Sequence, residues 1–143
     1  MTNTSAVKYE QEIPDVLQAL VGVHKVVSGQ GLDPTIIHLV HLRASQINQC
    51  AHCIKMHTRE ARQDGETNDR LDRVIVWRHV SDFNEREKVA LAWTEALTVL
   101  DPKSDLGPLR ARLREHFSDK EIGVLTSAVA MINLWNRLQV SRH

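Results

Sequence analysis

Leu32 to Glu66 reads LDPTIIHLVHLRASQINQCAHCIKMHTREARQDGE, and the apolar spacing in this stretch decides the fold class. Asp33 can cap, and Pro34 open, a helix that brings Ile36, Leu39, Val40 and Ile47 to one face. Asn48 can cap the next helix, which runs through both cysteines of the chain, Cys50 and Cys53, to a glycine stop at Gly65. No sustained alternation of apolar and polar residues competes with these helical periods.

The same signals extend in both directions. Upstream, Pro14 suits the first turn of a helix carrying Val16, Leu20, Val23 and Val27, which ends at the turn Ser28 to Gly31, SGQG. Downstream, helices are expected around Leu71 to Val80, from Asn84, shortly after Asp105, and from Ser118. Two of them begin with capping boxes, NERE at Asn84 to Glu87 and SDKE at Ser118 to Glu121. In each, cap and third residue satisfy one another's orphan backbone donors. The helix from Asn84 is expected to bury one stripe, Val89, Trp93, Ala96, Leu97 and Leu100. The last helix has apolar residues on more than one face, among them Leu125, Val129, Ile132, Leu134 and Leu138, which implies burial against a second subunit as well. The expectation is an all-α chain of about six to seven helices, one domain over residues 1–143, assembled as an oligomer.

Composition removes several classes of function. Eighteen basic and eighteen acidic residues give zero formal charge, so no basic surface is expected to track nucleic-acid phosphates or anionic lipid. The N-terminus lacks the charged and apolar regions of a signal peptide, and no window approaches the roughly 18 apolar residues of a membrane span. A cytoplasmic protein is the expectation. At 143 residues the chain buries a core without a covalent staple, and in a reducing cytosol a CxxC is more often redox-active or metal-binding than structural.

Successive helical residues turn by about 100°, so Cys50, Cys53 and His57 fall within roughly 60° of one another. Both thiols lie near a helix N-terminus, where free N–H groups and the macrodipole favour a thiolate. His57, one turn beyond Cys53, is placed to take or return its proton. Geometry does not choose the attacking thiol, because the dipole favours Cys50 and nearness to the base favours Cys53. A zinc site is the competing reading, with the two thiolates joined by His57, His38 or His41. A pair of small core residues beside a solvated histidine is the third, and His52 faces elsewhere.

These residues resemble the core signature of the alkylhydroperoxidase D-like proteins of the carboxymuconolactone decarboxylase superfamily. The resemblance continues through Trp77 and Arg78, FNEREKVALAWTEALT (Phe83 to Thr98), HFSDKEIGVL (His116 to Leu125) and INLWNRL (Ile132 to Leu138). It implies an all-helical fold assembled as trimers or hexamers, and a thiol peroxidase that reduces hydroperoxides. By that resemblance Cys53 is the thiol oxidised by peroxide, Cys50 resolves the sulfenic acid as a disulfide, and His57 belongs to the proton relay. One position departs. Relatives carry a glutamate in that relay twelve residues before the first cysteine, where this chain has His38. His38 can accept a hydrogen bond from His57 and pass a proton, but it supplies no negative charge, so weaker or pH-shifted activation of Cys53 follows. No haem, flavin or nucleotide motif occurs and no bound metal is expected, so an external thiol or dithiol must deliver the electrons. Decarboxylases of the same superfamily generally lack the cysteine pair, and its presence here favours redox chemistry. Trp135, Asn136 and Arg137 are read as packing and capping groups.

Overall fold

Proline and cap positions set the helix starts, and the computed structural model, which describes residues 1–143, contains helices and no strand. Eight α-helices form: α1 (Tyr9–Glu12), α2 (Pro14–Ser28), α3 (Pro34–Ile47), α4 (Ala51–Gln63), α5 (Asn68–Arg73), α6 (Glu85–Val99), α7 (Gly107–Arg114) and α8 (Asp119–Val140). A 3-10 segment, Val74–His79, joins α5 to α6. Eight exceeds the six to seven expected. α1 is a single turn with no apolar period to announce it, and the segment around Leu71 to Val80 divides. Three β-branched residues, Val74, Ile75 and Val76, follow α5 there, and Val76 leaves helical geometry at φ −116°.

Both capping boxes form as expected. The Asn84 side chain accepts from Glu87 N–H at the start of α6, and Ser118 accepts from Glu121 N–H at the start of α8. Asp33 caps α3 by accepting from Thr35 N–H at 2.9 Å. The expected cap at Asn48 is corrected. Asn48 instead ends α3, its N–H bonded to the Ala44 carbonyl; Gln49, whose N–H bonds to the Gln46 carbonyl, reverses the chain at φ +54°, and Cys50 caps α4.

Two apolar clusters meet at α3 and α6. Ile36, Val40, Val89, Trp93, Leu125 and Val129 belong to one, and Leu39, Leu42, Leu71, Trp77, Phe83 and Leu91 to the other. The single stripe expected for α6 is therefore too narrow. Ala90, Leu91, Ala92 and Thr94 are buried as well, because α6 packs against α3, α7 and α8, while Leu100 at its end is exposed with φ +51°. Truncating a fully buried leucine such as Leu39 or Leu91 to alanine costs about 2–5 kcal/mol in sites of this kind.

Polar groups fasten the outer pieces to this core. Glu95 on α6 accepts from Arg43, Trp77 and Arg78, and although burial raises its pKa, those donors hold it below the usual carboxylate range. Trp77 and Arg78 thereby tie the 3-10 segment to α6. Arg70 bridges Glu66 and the buried Glu87. α2 is held differently: it packs on α8 and α1 and buries none of its residues fully. Val16 and Val23 of its expected stripe remain 46% and 49% exposed.

Candidate active site

The elbow between α3 and α4 places the cysteines. Cys50 N–H bonds to the Ser45 carbonyl at 3.0 Å, and the Ser45 hydroxyl donates to the His41 carbonyl at 2.7 Å. From α8, the fully buried Asn136 donates to Ser45 Oγ at 3.0 Å and accepts from Asn48 Nδ2 at 3.0 Å. Asn133 also accepts from Asn48, at 2.9 Å. An amide network on α8 thus holds a turn almost ninety residues earlier, as the structural reading of Asn136 expected. Arg137 likewise donates within its own helix, to Asn133.

Cys50 and Cys53 form a disulfide, with Cα atoms 5.3 Å apart. Cys50 Sγ sits at the cap of α4 and accepts from Cys53 N–H at 3.3 Å. Both residues are buried, yet they differ in outlook. Cys53 lines a cavity of about 310 Å³ and Cys50 does not. Val21, Met56 and Trp135 give that cavity apolar walls; His24, His41 and His57 give it imidazoles; Glu60 completes its α4 side together with His52, which was expected to face elsewhere and instead borders the same cavity. Trp135, read from the sequence as a packing residue, therefore also faces the site, its ring edge-on to His24.

Of the face expected to hold Cys50, Cys53 and His57, the structure brings Cys53 and His57 to one cavity, with His57 buried beside Cys53, whereas Cys50 precedes the helix as its extended cap and lies outside that cavity. Its Nδ1 lies 3.2 Å from Glu60 Oε2, and its Nε2 is buried without a partner. Burial lowers the His57 pKa, with His38 and His24 also disfavouring charge, while Glu60 works in the opposite direction. His41 lies 4.7 Å from His57, ring centre to ring centre, and 6.0 Å from His24. Its pKa falls well below the ordinary range, first through burial and then through His57, His24 and His38. Both shifts favour the neutral imidazole.

His38 is not where the relay expectation placed its contacts. Its Nε2 bonds to Asp64 Oδ2 at 2.6 Å, on the far side from the cysteines, and no hydrogen bond joins it to His57. Sequence reasoning missed Glu60, His24 and the stacking of His41. Glu60 is legible in principle, three residues after His57 on the same helix. His24 carries no such signal, because only the packing of α2 on α8 brings it near. With their sulfurs joined, the cysteines offer no thiolate to zinc, and no three histidines, cysteines or carboxylates converge in a metal-ligating arrangement. No helix is long and apolar enough to cross a membrane.

An all-α fold with a helix-capping CxxC disulfide beside a histidine defines a recognisable class. The chain belongs to the carboxymuconolactone decarboxylase family, whose model matches residues 14–96. It is 31% identical to the uncharacterised protein YdfG of Bacillus subtilis (strain 168) over 135 residues, 94% of this chain and 92% of that one. A protein of unknown function from Agrobacterium tumefaciens, described as a candidate AhpD antioxidant defence protein, superposes with a TM-score of 0.91 at 35% identity. That likeness covers 97% of this chain and 95% of the other. The debrominase Bmp8, solved in complex with 2,3,4-tribromopyrrole, shares the fold at a TM-score of 0.81 and 16% identity, over 92% and 71% of the two chains.

Proposed function

We propose that the protein is a thiol peroxidase that reduces hydroperoxides, with Cys53 as the attacking thiol, Cys50 as the resolving thiol and His57 as the group that moves the proton. The observation that carries this reading is the asymmetry of the disulfide: Cys53 faces the histidine-lined cavity, whereas Cys50 lies behind it at the cap of α4. The thiolate of Cys53 attacks the outer oxygen of the hydroperoxide, the O–O bond breaks, and the leaving alkoxide takes a proton from His57 to depart as an alcohol. Cys50 then attacks the sulfenic sulfur, water leaves, and the disulfide forms. An external thiol or dithiol returns two electrons to complete the cycle. Cys50 is well placed as the leaving group of that step, since the N-terminus of α4 and Cys53 N–H favour its thiolate.

His38 enters this reading only at a distance. It affects the charge on His57, but its hydrogen bond runs to Asp64. The apolar walls of Val21, Met56 and Trp135 suit an organic hydroperoxide. The same thiol pair serves a disulfide oxidoreductase as the second reading, and the shared fold of a debrominase makes the electron acceptor the part most in need of a direct assay. We further assign the protein to the cytoplasm, as a homotrimer or homohexamer that engages neither nucleic acid nor lipid; the neutral charge and the partly exposed α2 support this. The test is consumption of cumene hydroperoxide with dithiothreitol as donor. Cys53→Ser should abolish it and Cys50→Ser should reduce it at least tenfold. Equal rates for the parent and Cys53→Ser would remove the assignment.

A further inference from the structure

The geometry points to Glu60 as the positioning carboxylate of the site, holding His57 so that its free nitrogen serves Cys53, in the role that relatives give to a glutamate at position 38. This inference rests on the thiol reading above but not on peroxide as the oxidant. Position 38 holds histidine, and His38 is bound to Asp64. Glu60 lies one turn beyond His57 on α4, its Oε2 3.2 Å from His57 Nδ1, and it is the one carboxylate lining the cavity.

The bond fixes a tautomer. An ionised carboxylate only accepts, so Nδ1 must carry the proton and donate, which leaves the lone pair on Nε2. That Nε2 is buried and has no partner while the disulfide is closed. An imidazole nitrogen kept dry and unpaired is costly unless a donor arrives at some stage of the cycle. The thiol of Cys53, one turn earlier on the same helix face and lining the same cavity, is that donor once the disulfide opens.

The other titratable groups around His57 do not compete for this role. His41 and His38 approach from α3 and His24 from α2, while α8 contributes Trp135 and Gln139, which do not titrate in this range; His52 lies near the mouth on α4. His41 is held neutral by burial and by its histidine neighbours, so it neither stabilises nor stores a proton. Burial, His38 and His24 disfavour charge on His57, and Glu60 favours it. When Cys53 gives its proton to Nε2, the product is a thiolate beside an imidazolium flanked by a carboxylate. Glu60 therefore lowers the pH at which Cys53 ionises. On attack, the proton at Nε2 passes to the departing alkoxide and the starting tautomer returns.

The test needs no peroxide, so it separates failure of this inference from failure of the peroxidase reading. In reduced Cys50→Ser protein, alkylation of Cys53 by iodoacetamide is followed by mass spectrometry between about pH 5.5 and pH 9. Adding Glu60→Gln keeps a hydrogen-bond acceptor and removes the charge. Alkylation near pH 6.5 should slow about tenfold, its midpoint rising by about one pH unit, with the Nδ1–H tautomer of His57 preserved in 15N spectra. Glu60→Leu should shift the midpoint at least as far and also lose the tautomer preference. Glu60→Asp should recover most of the rate. Glu60 is half-exposed at the rim, so these changes spare the core. Unchanged midpoints in both the Gln and Leu variants would overturn the inference, and so would a shift produced by His38→Gln in place of Glu60→Gln.

Discussion

Burial lowers the proton affinity of His41 well below the ordinary histidine range near 6.5, and the adjacent His57 and His24 add to it; His57 is lowered by burial in the same way. In the unfolded chain both regain ordinary affinity, so below about pH 6.5 the unfolded state binds protons that the folded state refuses. Stability therefore rises with pH across that window and falls as the solution is acidified. The melting temperature should drop between about pH 7.5 and pH 5. His41→Leu, which removes the more strongly depressed imidazole, should flatten that drop; an identical pH slope in the variant would contradict the assignment. At this scale the sequence was most legible where spacing alone sufficed. Cys53 and His57 share a face because of their offset of four, and the structure brings both to one cavity, whereas Cys50 caps the helix in extended geometry and escapes the helical arithmetic. Glu60 obeys the same helical arithmetic, three residues after His57, whereas His38 sits at the family's glutamate position but its side chain is turned by the fold to Asp64.

Helix boundaries divide by whether their determinants are local. The starts of α3, α6 and α8 were legible because cap and partner lie within three residues of each other. The start of α4 was misread because asparagine suits either end of a helix, and what decides its place is Asn136 on α8, 88 residues away. The breadth of α6 burial was hidden for a related reason: a helix enclosed by three others buries alanines and threonines that carry no apolar period. Asn136 joins α8 to the elbow between α3 and α4. Asn136→Ala leaves Ser45 Oγ and Asn48 Nδ2 each short of a partner in a buried elbow, and should cost about 2–3 kcal/mol in urea unfolding. It should also speed reduction of the Cys50–Cys53 disulfide by dithiothreitol, since that elbow positions Cys50. A loss below about 0.5 kcal/mol would show that the elbow stands without α8.

The whole molecule leaves apolar surface unpaired. Val16, Val23 and Val26 on α2 are exposed, and a groove of about 810 Å³ between α6 and α8 is walled by Leu97, Leu100, Leu134 and Leu138. We propose that this apolar surface packs against further copies of the chain. The chain should sediment as a trimer or hexamer, and Leu134→Asp with Leu138→Asp should shift it to smaller species; a parent that sediments as a monomer at micromolar concentration would remove the oligomer. The central claim is tested most directly by mass spectrometry of the reduced protein, thiols trapped, after one equivalent of cumene hydroperoxide. The account predicts a Cys50–Cys53 disulfide in the parent within seconds, a sulfenic acid at Cys53 in Cys50→Ser, and no oxidation at Cys50 in Cys53→Ser. Thiols that stay reduced in the parent, or a sulfenic acid that appears at Cys50, would contradict it.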